Sequence, residues 1–185
     1  MSVALIGFSG SRSLPASASP LVAGVVRSVL RSGRGVAVGC CLGTDRLALS
    51  AALGVPGAAP RLSVFAAFGP VPPPWPAPRV SAPGSSRSVS WPSGVGRGFV
   101  GFVSSPCPSS LGPSSSPSDC FSGSGSGSWG SLALAVGLGL PVVVFPLAGS
   151  ALPSSWGSWV YLSGPSGSPW AGGFLLKPPP ALFGR

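Results

Sequence analysis

Three short polar segments of this chain contain residue types that suit the binding of a phosphate-bearing ligand. The first, GFSGSR, runs from Gly7 to Arg12 and follows an apolar run. Glycines let the backbone approach a ligand closely, and successive N–H groups ahead of a helix form an anion site. Arg12 can add a bidentate contact to a phosphate. An ordinary tight turn with a solvated Arg12 is the alternative.

The second segment, GCCLGTD, runs from Gly39 to Asp45, and Asp45 is one of only 2 acidic residues in the chain. As a helix cap, Asp45 would satisfy backbone N–H groups that have no partner inside the helix. As a functional group, it could accept hydrogen bonds from a ribose or a base, or act as a general base. The two roles are compatible with each other.

The third segment, SGSGSGSWG, runs from Ser122 to Gly130. A Gly/Ser repeat is typical of a flexible linker. Its position between a predicted strand and a predicted helix favours a phosphate cradle instead. Trp129 would either stack on a base or close the edge of the sheet.

Alternating strands and helices are predicted around these segments. Short apolar runs bounded by turn residues predict buried parallel strands, and apolar residues at helical spacing predict amphipathic helices. The predicted strands are Ser2–Phe8, Gly35–Cys40, Arg61–Gly69, Phe99–Ser105 and Leu140–Pro146. The predicted helices are Ser19–Ser32, Thr44–Leu53 and Trp129–Gly139.

Local residues also predict where the first two helices begin and end. Ser19 is the expected N-cap of the first helix with Pro20 at its first position, and Gly33 is the expected stop. Thr44 or Asp45 is the expected cap of the second helix, with Gly54 as its stop. Arg27 and Arg31 lie off the apolar face of the first helix.

The predicted fold class is α/β: a Rossmann-like, open, mostly parallel sheet of about five strands with flanking helices and long Pro/Ser/Gly-rich loops. The domain would span residues 1–146, with irregular loops at 70–98 and 106–123, where proline and serine are frequent. Residues 147–185 form a Trp/Pro/Gly-rich tail, expected to make a short hairpin or to wrap over the sheet.

The composition sets the charge and the expected compartment. The chain has 11 Lys and Arg against 2 acidic residues and no His, a net charge of +9. Such a charge attracts polyanions, whether it was selected or follows from a high-GC coding bias. The 4 cysteines lack CxxC spacing and histidine partners, so we expect no metal site. We expect the cysteines to be reduced thiols. Without a basic leader or an apolar run of about 20 residues, we expect a cytoplasmic protein.

Taken in this order, the three segments resemble the SLOG superfamily. This Rossmann-like group includes the LOG-type nucleotide hydrolases and the DNA-processing proteins of the DprA/Smf kind. The resemblance covers Val3–Phe68 and roughly Phe99–Pro146, and it is closest to small stand-alone members with a GSR…G…GAD pattern. It implies that the segments bind a nucleotide or nucleotide-derived ligand. The residues implied are Gly10, Ser11, Arg12, Gly39, Gly43, Asp45, Gly125, Ser126, Gly127 and Ser128, to which stacking by Trp129 is added.

One departure from the family bears on catalysis. LOG-type hydrolases carry a PGGxGTxxE loop whose Glu is catalytic. The matching segment here, SGSGSGSWGSLA, has no Glu, and the chain has none elsewhere. The sequence therefore favours a site that holds its ligand without cleaving it.

The expected function is thus non-catalytic binding of a nucleotide or nucleotide-derived ligand at the carboxyl ends of the strands, without a further cofactor. The expected partners are this small molecule and, as an additional possibility, nucleic acid or a second copy of the chain, but no membrane. The alternatives are a nucleotide hydrolase of N-glycosidase type using Asp45, a basic protein that binds single-stranded nucleic acid, and a degenerate family member without activity.

Overall fold

The computed structural model describes residues 3–39, 41–65, 98–121 and 126–179. The predicted loop at 70–98 lies outside these ranges except for Gly98, and so do Cys40 and Gly125. The chain divides into two compact units. The first consists of residues up to Phe8 and from Arg12 to Arg97, and the second of Ser9–Ser11 and Gly98–Arg185.

The first unit alternates strands and helices along the chain. It contains strand β1 (Leu5–Gly10), helix α1 (Ser19–Arg31), strand β2 (Gly35–Gly39), helix α2 (Thr44–Leu53) and strand β3 (Leu62–Phe65). Only the part of β1 up to Phe8 belongs to this unit. The strands are parallel in the order β3-β2-β1. This is the βαβ pattern that the apolar periodicity predicts.

Helix α1 forms because its apolar residues recur on one face. That face is buried in the first unit, whereas Arg27 and Arg31 are exposed, as predicted. Gly33, with φ of 80°, ends the helix in the left-handed conformation expected of glycine. The buried residues of this face are Val22, Val25, Val26, Val29 and Leu30.

The predicted N-caps of α1 and α2 lie one or two residues too far along the chain. Helix α1 includes Ser19 and has Ala18 as its N-cap, because a preceding 3₁₀ turn at Ala16–Ala18 already holds Ala18 in helical geometry. Helix α2 includes Thr44 and follows Gly43, whose φ of 78° is one that glycine adopts without strain. Gly54 ends α2 as predicted.

The second unit contributes the remaining elements. These are strand β4 (Gly98–Val103), the single-turn helix α3 (Pro117–Cys120), helix α4 (Gly127–Gly137) and strands β5 (Val142–Pro146), β6 (Ser158–Tyr161) and β7 (Phe174–Lys177). Their strand order is β4-β5-β7-β6, with β4 parallel to β5 and the last two strands antiparallel.

The predicted fold class is confirmed, with one addition. The structure is α/β, with an open, mostly parallel, Rossmann-like sheet and flanking helices, but the sheet has 7 strands. The extra pair, β6 and β7, comes from the tail: β7 pairs antiparallel with β5, and β6 pairs antiparallel with β7 at the edge. Mixed edges of this kind are common in large α/β sheets.

Candidate functional site

Arg12 and Asp45, the two charged residues of the first two predicted segments, influence each other electrostatically in the first unit. Arg12 lies two residues after β1 and is exposed. Asp45 lies in the first turn of α2, just beyond the end of β2. The Arg12 guanidinium lowers the pKa of Asp45. The first unit thus holds one charged residue from each of these two turns within electrostatic range of the other.

The carboxylate of Asp45 is buried against backbone. The residue is 7% exposed. Oδ2 accepts a hydrogen bond from the Cys41 N–H at 3.2 Å. A Cβ added at Gly39 would lie 2.5 Å from the same oxygen, so no larger residue fits there without movement. Gly39 therefore leaves the space that the carboxylate occupies.

Burial dominates the titration of this carboxyl. Desolvation raises the pKa of Asp45 from 3.8 to about 7, although the Cys41 N–H and the Arg12 guanidinium both lower it. The carboxyl of Asp45 is therefore protonated at a higher pH than that of an exposed aspartate. It can accept a hydrogen bond as a carboxylate or donate one as a carboxylic acid.

Asp45 does not act as the N-cap that the sequence suggests. It lies inside α2, and its carboxylate bonds to Cys41, four residues earlier, outside the helix. A negative charge in a first turn still interacts favourably with the helix dipole. Through its Oδ2 oxygen, Asp45 therefore closes the turn between β2 and α2.

Two further predicted residues, Gly10 and Ser11, belong to the second unit. Gly10 is the last residue of β1 and is half-buried. The Ser11 N–H donates to the Phe102 carbonyl at 2.8 Å. The Ser11 hydroxyl accepts from the Ser104 N–H at 2.9 Å and from the Ser104 hydroxyl at 2.7 Å. Ser11 thus fixes the segment that follows β4.

The described part of the third predicted segment forms the start of α4. Ser126 is the N-cap with extended backbone, and Gly127 and Ser128 are the first helical residues. Gly127 is exposed, and Ser126 and Ser128 are half-buried. The helix therefore begins two residues earlier than the sequence suggests. These three residues remain predicted ligand contacts of the second unit.

Trp129 is a core residue of the second unit. It is 0% exposed, and its indole N–H donates to the Ser105 carbonyl at 2.9 Å. Its ring meets Trp156 edge to face, with centroids 5.6 Å apart. Of the two roles considered for Trp129, this burial supports packing, because no ring face is accessible to a base.

Sequence reasoning missed two contributors to these sites. The Cys41 N–H is a backbone donor, and no residue type announces it. Ser104 follows β4 directly, and a polar residue at the carboxyl end of a predicted strand was a usable signal. The second acidic residue, Asp119, is exposed in α3 and accepts a hydrogen bond from Ser114 at 2.8 Å.

The described residues contain neither a metal-binding cluster nor a helix that could span a membrane. Within residues 3–39, 41–65, 98–121 and 126–179, no group of three or more His, Cys, Asp or Glu side chains is placed to hold a metal ion. In the same ranges, every helix is too short or too polar to cross a bilayer.

Comparisons of the chain with protein-family models, curated proteins and solved structures found no match. The resemblance to the SLOG superfamily therefore rests on the sequence motifs themselves.

Proposed function

We propose that this chain binds a nucleotide or nucleotide-derived ligand, as a SLOG-like protein would, at the turns that follow β1 and β2. Arg12 would contact a phosphate, and Asp45 would bond to a ribose hydroxyl or a base N–H. The observation that carries the proposal is the electrostatic interaction between exposed Arg12 and buried Asp45.

General features of open α/β sheets support this assignment. Ligands of such sheets bind outside the carboxyl ends of the strands, and an acidic residue often bonds to the ribose there. Arginine offers a planar fork that matches two phosphate oxygens. An arginine and an aspartate that interact electrostatically thus offer one group for each of the two chemically different ends of a nucleotide.

The proposal is tested by titrating the full chain with nucleoside monophosphates and dinucleotides, using thermal shift and calorimetry. A ligand that binds only the folded state raises the melting temperature. Arg12→Ala should weaken the affinity of a responding nucleotide about 10- to 100-fold, as expected for a lost charged hydrogen bond. Arg27→Ala, which removes an exposed arginine of α1 outside the proposed site, is the matched control.

Two outcomes would contradict the proposal. One is the absence of any nucleotide response in the intact chain. The other is equal affinity in Arg12→Ala and the parent protein, because the ligand would then bind without the proposed phosphate contact.

A second candidate function is nucleotide hydrolysis, and the pKa of Asp45, about 7, favours it. A group with this pKa can take a proton from water near neutral pH. The attacking water would then break the glycosidic bond and release a free base and a ribose phosphate. Base release that Asp45→Asn abolishes, with nucleotide binding retained, would establish the enzyme over the simple binding protein.

A further inference from the structure

Four arginines of the first unit gather around the carboxyl end of α1. Arg27 and Arg31 occupy successive turns of the helix and are exposed. Arg34 follows the helix, is also exposed and donates to the Ser32 hydroxyl at 3.1 Å. Arg61, half-buried, precedes β3. We call these four residues the arginine cluster.

Arg61 joins the segment before β3 to the end of α1. Its Nη1 donates to the Leu30 carbonyl at 2.7 Å and to the Arg34 carbonyl at 3.2 Å. Both acceptors belong to the end of α1 and the segment that follows it, where the helix dipole favours positive charge. The guanidinium of Arg61 is therefore fixed beside the backbone from which the side chains of Arg31 and Arg34 extend.

The charges of the cluster lack acidic neighbours within their own unit. Asp45 is the only acidic residue in the sequence of the first unit, and it lies beyond the opposite end of β2. Arg27 and Arg31, four residues apart on one helix, repel each other and cost stability. A bound polyanion would offset the repulsion between these two guanidinium groups.

The cluster lies at the opposite end of β2 from the proposed nucleotide site. Gly35 begins the strand and Gly39 ends it. At about 3.3 Å per residue, the strand separates the two regions by roughly 13 Å. This exceeds the Debye length of about 10 Å at 0.1 M salt, so the two groups of charges act separately.

We propose that the arginine cluster binds the phosphodiester backbone of a nucleic acid. Arg27 and Arg31 are about 6 Å apart along the helix axis, and Arg34 and Arg61 lie near the carboxyl end of the same helix. Arginine, rather than lysine, is the residue that matches phosphate oxygens in pairs. Contacts to phosphate alone give binding that depends little on base sequence.

A membrane surface is a poorer match for this region. Peripheral helices that bind membranes present apolar residues beside their basic ones. The apolar face of α1 is already buried in the first unit: Val22, Val25, Val26, Val29 and Leu30.

The test is fluorescence anisotropy of the full chain with a 20-nucleotide thymidine strand and with a 20-base-pair duplex, over a series of salt concentrations. The double variant Arg27→Gln/Arg31→Gln keeps good helix formers at exposed positions and should fold. We expect its affinity to fall about 10-fold or more. Its salt slope on the single strand should fall by about 1.4, for two lost phosphate contacts.

The matched control is Arg46→Gln/Lys177→Gln, which removes the same charge from exposed positions outside the cluster. It should bind almost as tightly as the parent chain. Excess nucleoside monophosphate should not displace the bound oligonucleotides. This competition result separates the cluster from the proposed nucleotide site.

Four results would overturn the proposal. The first is no oligonucleotide binding by the parent chain in low salt. The second is equal losses in the cluster variant and the charge-matched control. The third is that the parent chain binds phosphatidylserine vesicles but not oligonucleotides, and that the cluster variant loses this vesicle binding. The fourth is competition by polyglutamate as strong as that by nucleic acid of equal charge, which would indicate an acidic protein partner.

Discussion

The Oδ2 oxygen of Asp45 occupies the space where a side chain at position 39 would begin. The distance from that oxygen to a Cβ built on Gly39 is 2.5 Å. Because Gly39, at the end of β2, has no side chain, Asp45 has room to place its carboxylate against the Cys41 N–H.

Replacing Gly39 by alanine should destabilise the protein through this contact. Because either the backbone or the carboxylate must move, we expect the free energy of unfolding to fall by about 1–3 kcal/mol. Chemical denaturation measures it. Gly54→Ala is the control, since its added Cβ would make only ordinary contacts, 3.6 Å from the Ala51 carbonyl. In an Asp45→Ala background the cost of Gly39→Ala should largely disappear, and an equal cost in both backgrounds would refute the explanation.

The raised pKa of Asp45 predicts how stability depends on pH. The folded carboxyl titrates near pH 7 and the unfolded one near 3.8, so between these values the folded state binds more protons. The stabilisation is complete below pH 3.8 and is lost as the pH rises through about 7. The free energy of unfolding is therefore expected to differ by roughly 4 kcal/mol between these two pH limits.

Asp45→Asn tests this dependence directly. The chain has no His and no Glu, so few other groups titrate between pH 5 and 8. The parent protein should lose stability over that range in urea denaturation, whereas the variant should change little and should be the more stable protein at pH 8. Parallel stability curves for the two proteins would show that Asp45 is not the group responsible.

The hydroxyl pair formed by Ser11 and Ser104 predicts a structural cost for losing Ser11. Ser11→Ala removes the acceptor of the Ser104 N–H, a group in a partly buried position. We expect the free energy of unfolding to fall by about 1–3 kcal/mol, as measured by denaturant titration. Ser13→Ala, at an exposed position, should change the stability little. An unchanged midpoint in Ser11→Ala would mean that water replaces the lost hydroxyl.

Trp129→Phe separates packing from ligand stacking. The smaller ring loses the bond to the Ser105 carbonyl and leaves space beside Trp156. The expected loss of stability is roughly 1–3 kcal/mol, with nucleotide affinity unchanged at a temperature where the variant is folded. A 10-fold drop in nucleotide affinity without a change in melting temperature would instead assign Trp129 to the ligand.

The sequence by itself determined the local elements. Helical spacing of apolar residues identified α1 and its buried face, and short apolar runs identified five strands of a parallel sheet. Gly33 marked the end of α1, because a left-handed residue after a helix is usually glycine. These features depend on neighbours within a few residues, so periodicity and turn chemistry were sufficient.

Tertiary structure alone decided the contacts between distant segments. The Ser11 hydroxyl meets Ser104, 93 positions away, and the Arg61 guanidinium meets the Leu30 carbonyl, 31 positions away. Asp45 was visible as a rare acid, but its burial, which raises its pKa, was not. Burial and long-range pairing depend on how elements pack, and the residue types of one segment do not specify what will cover it.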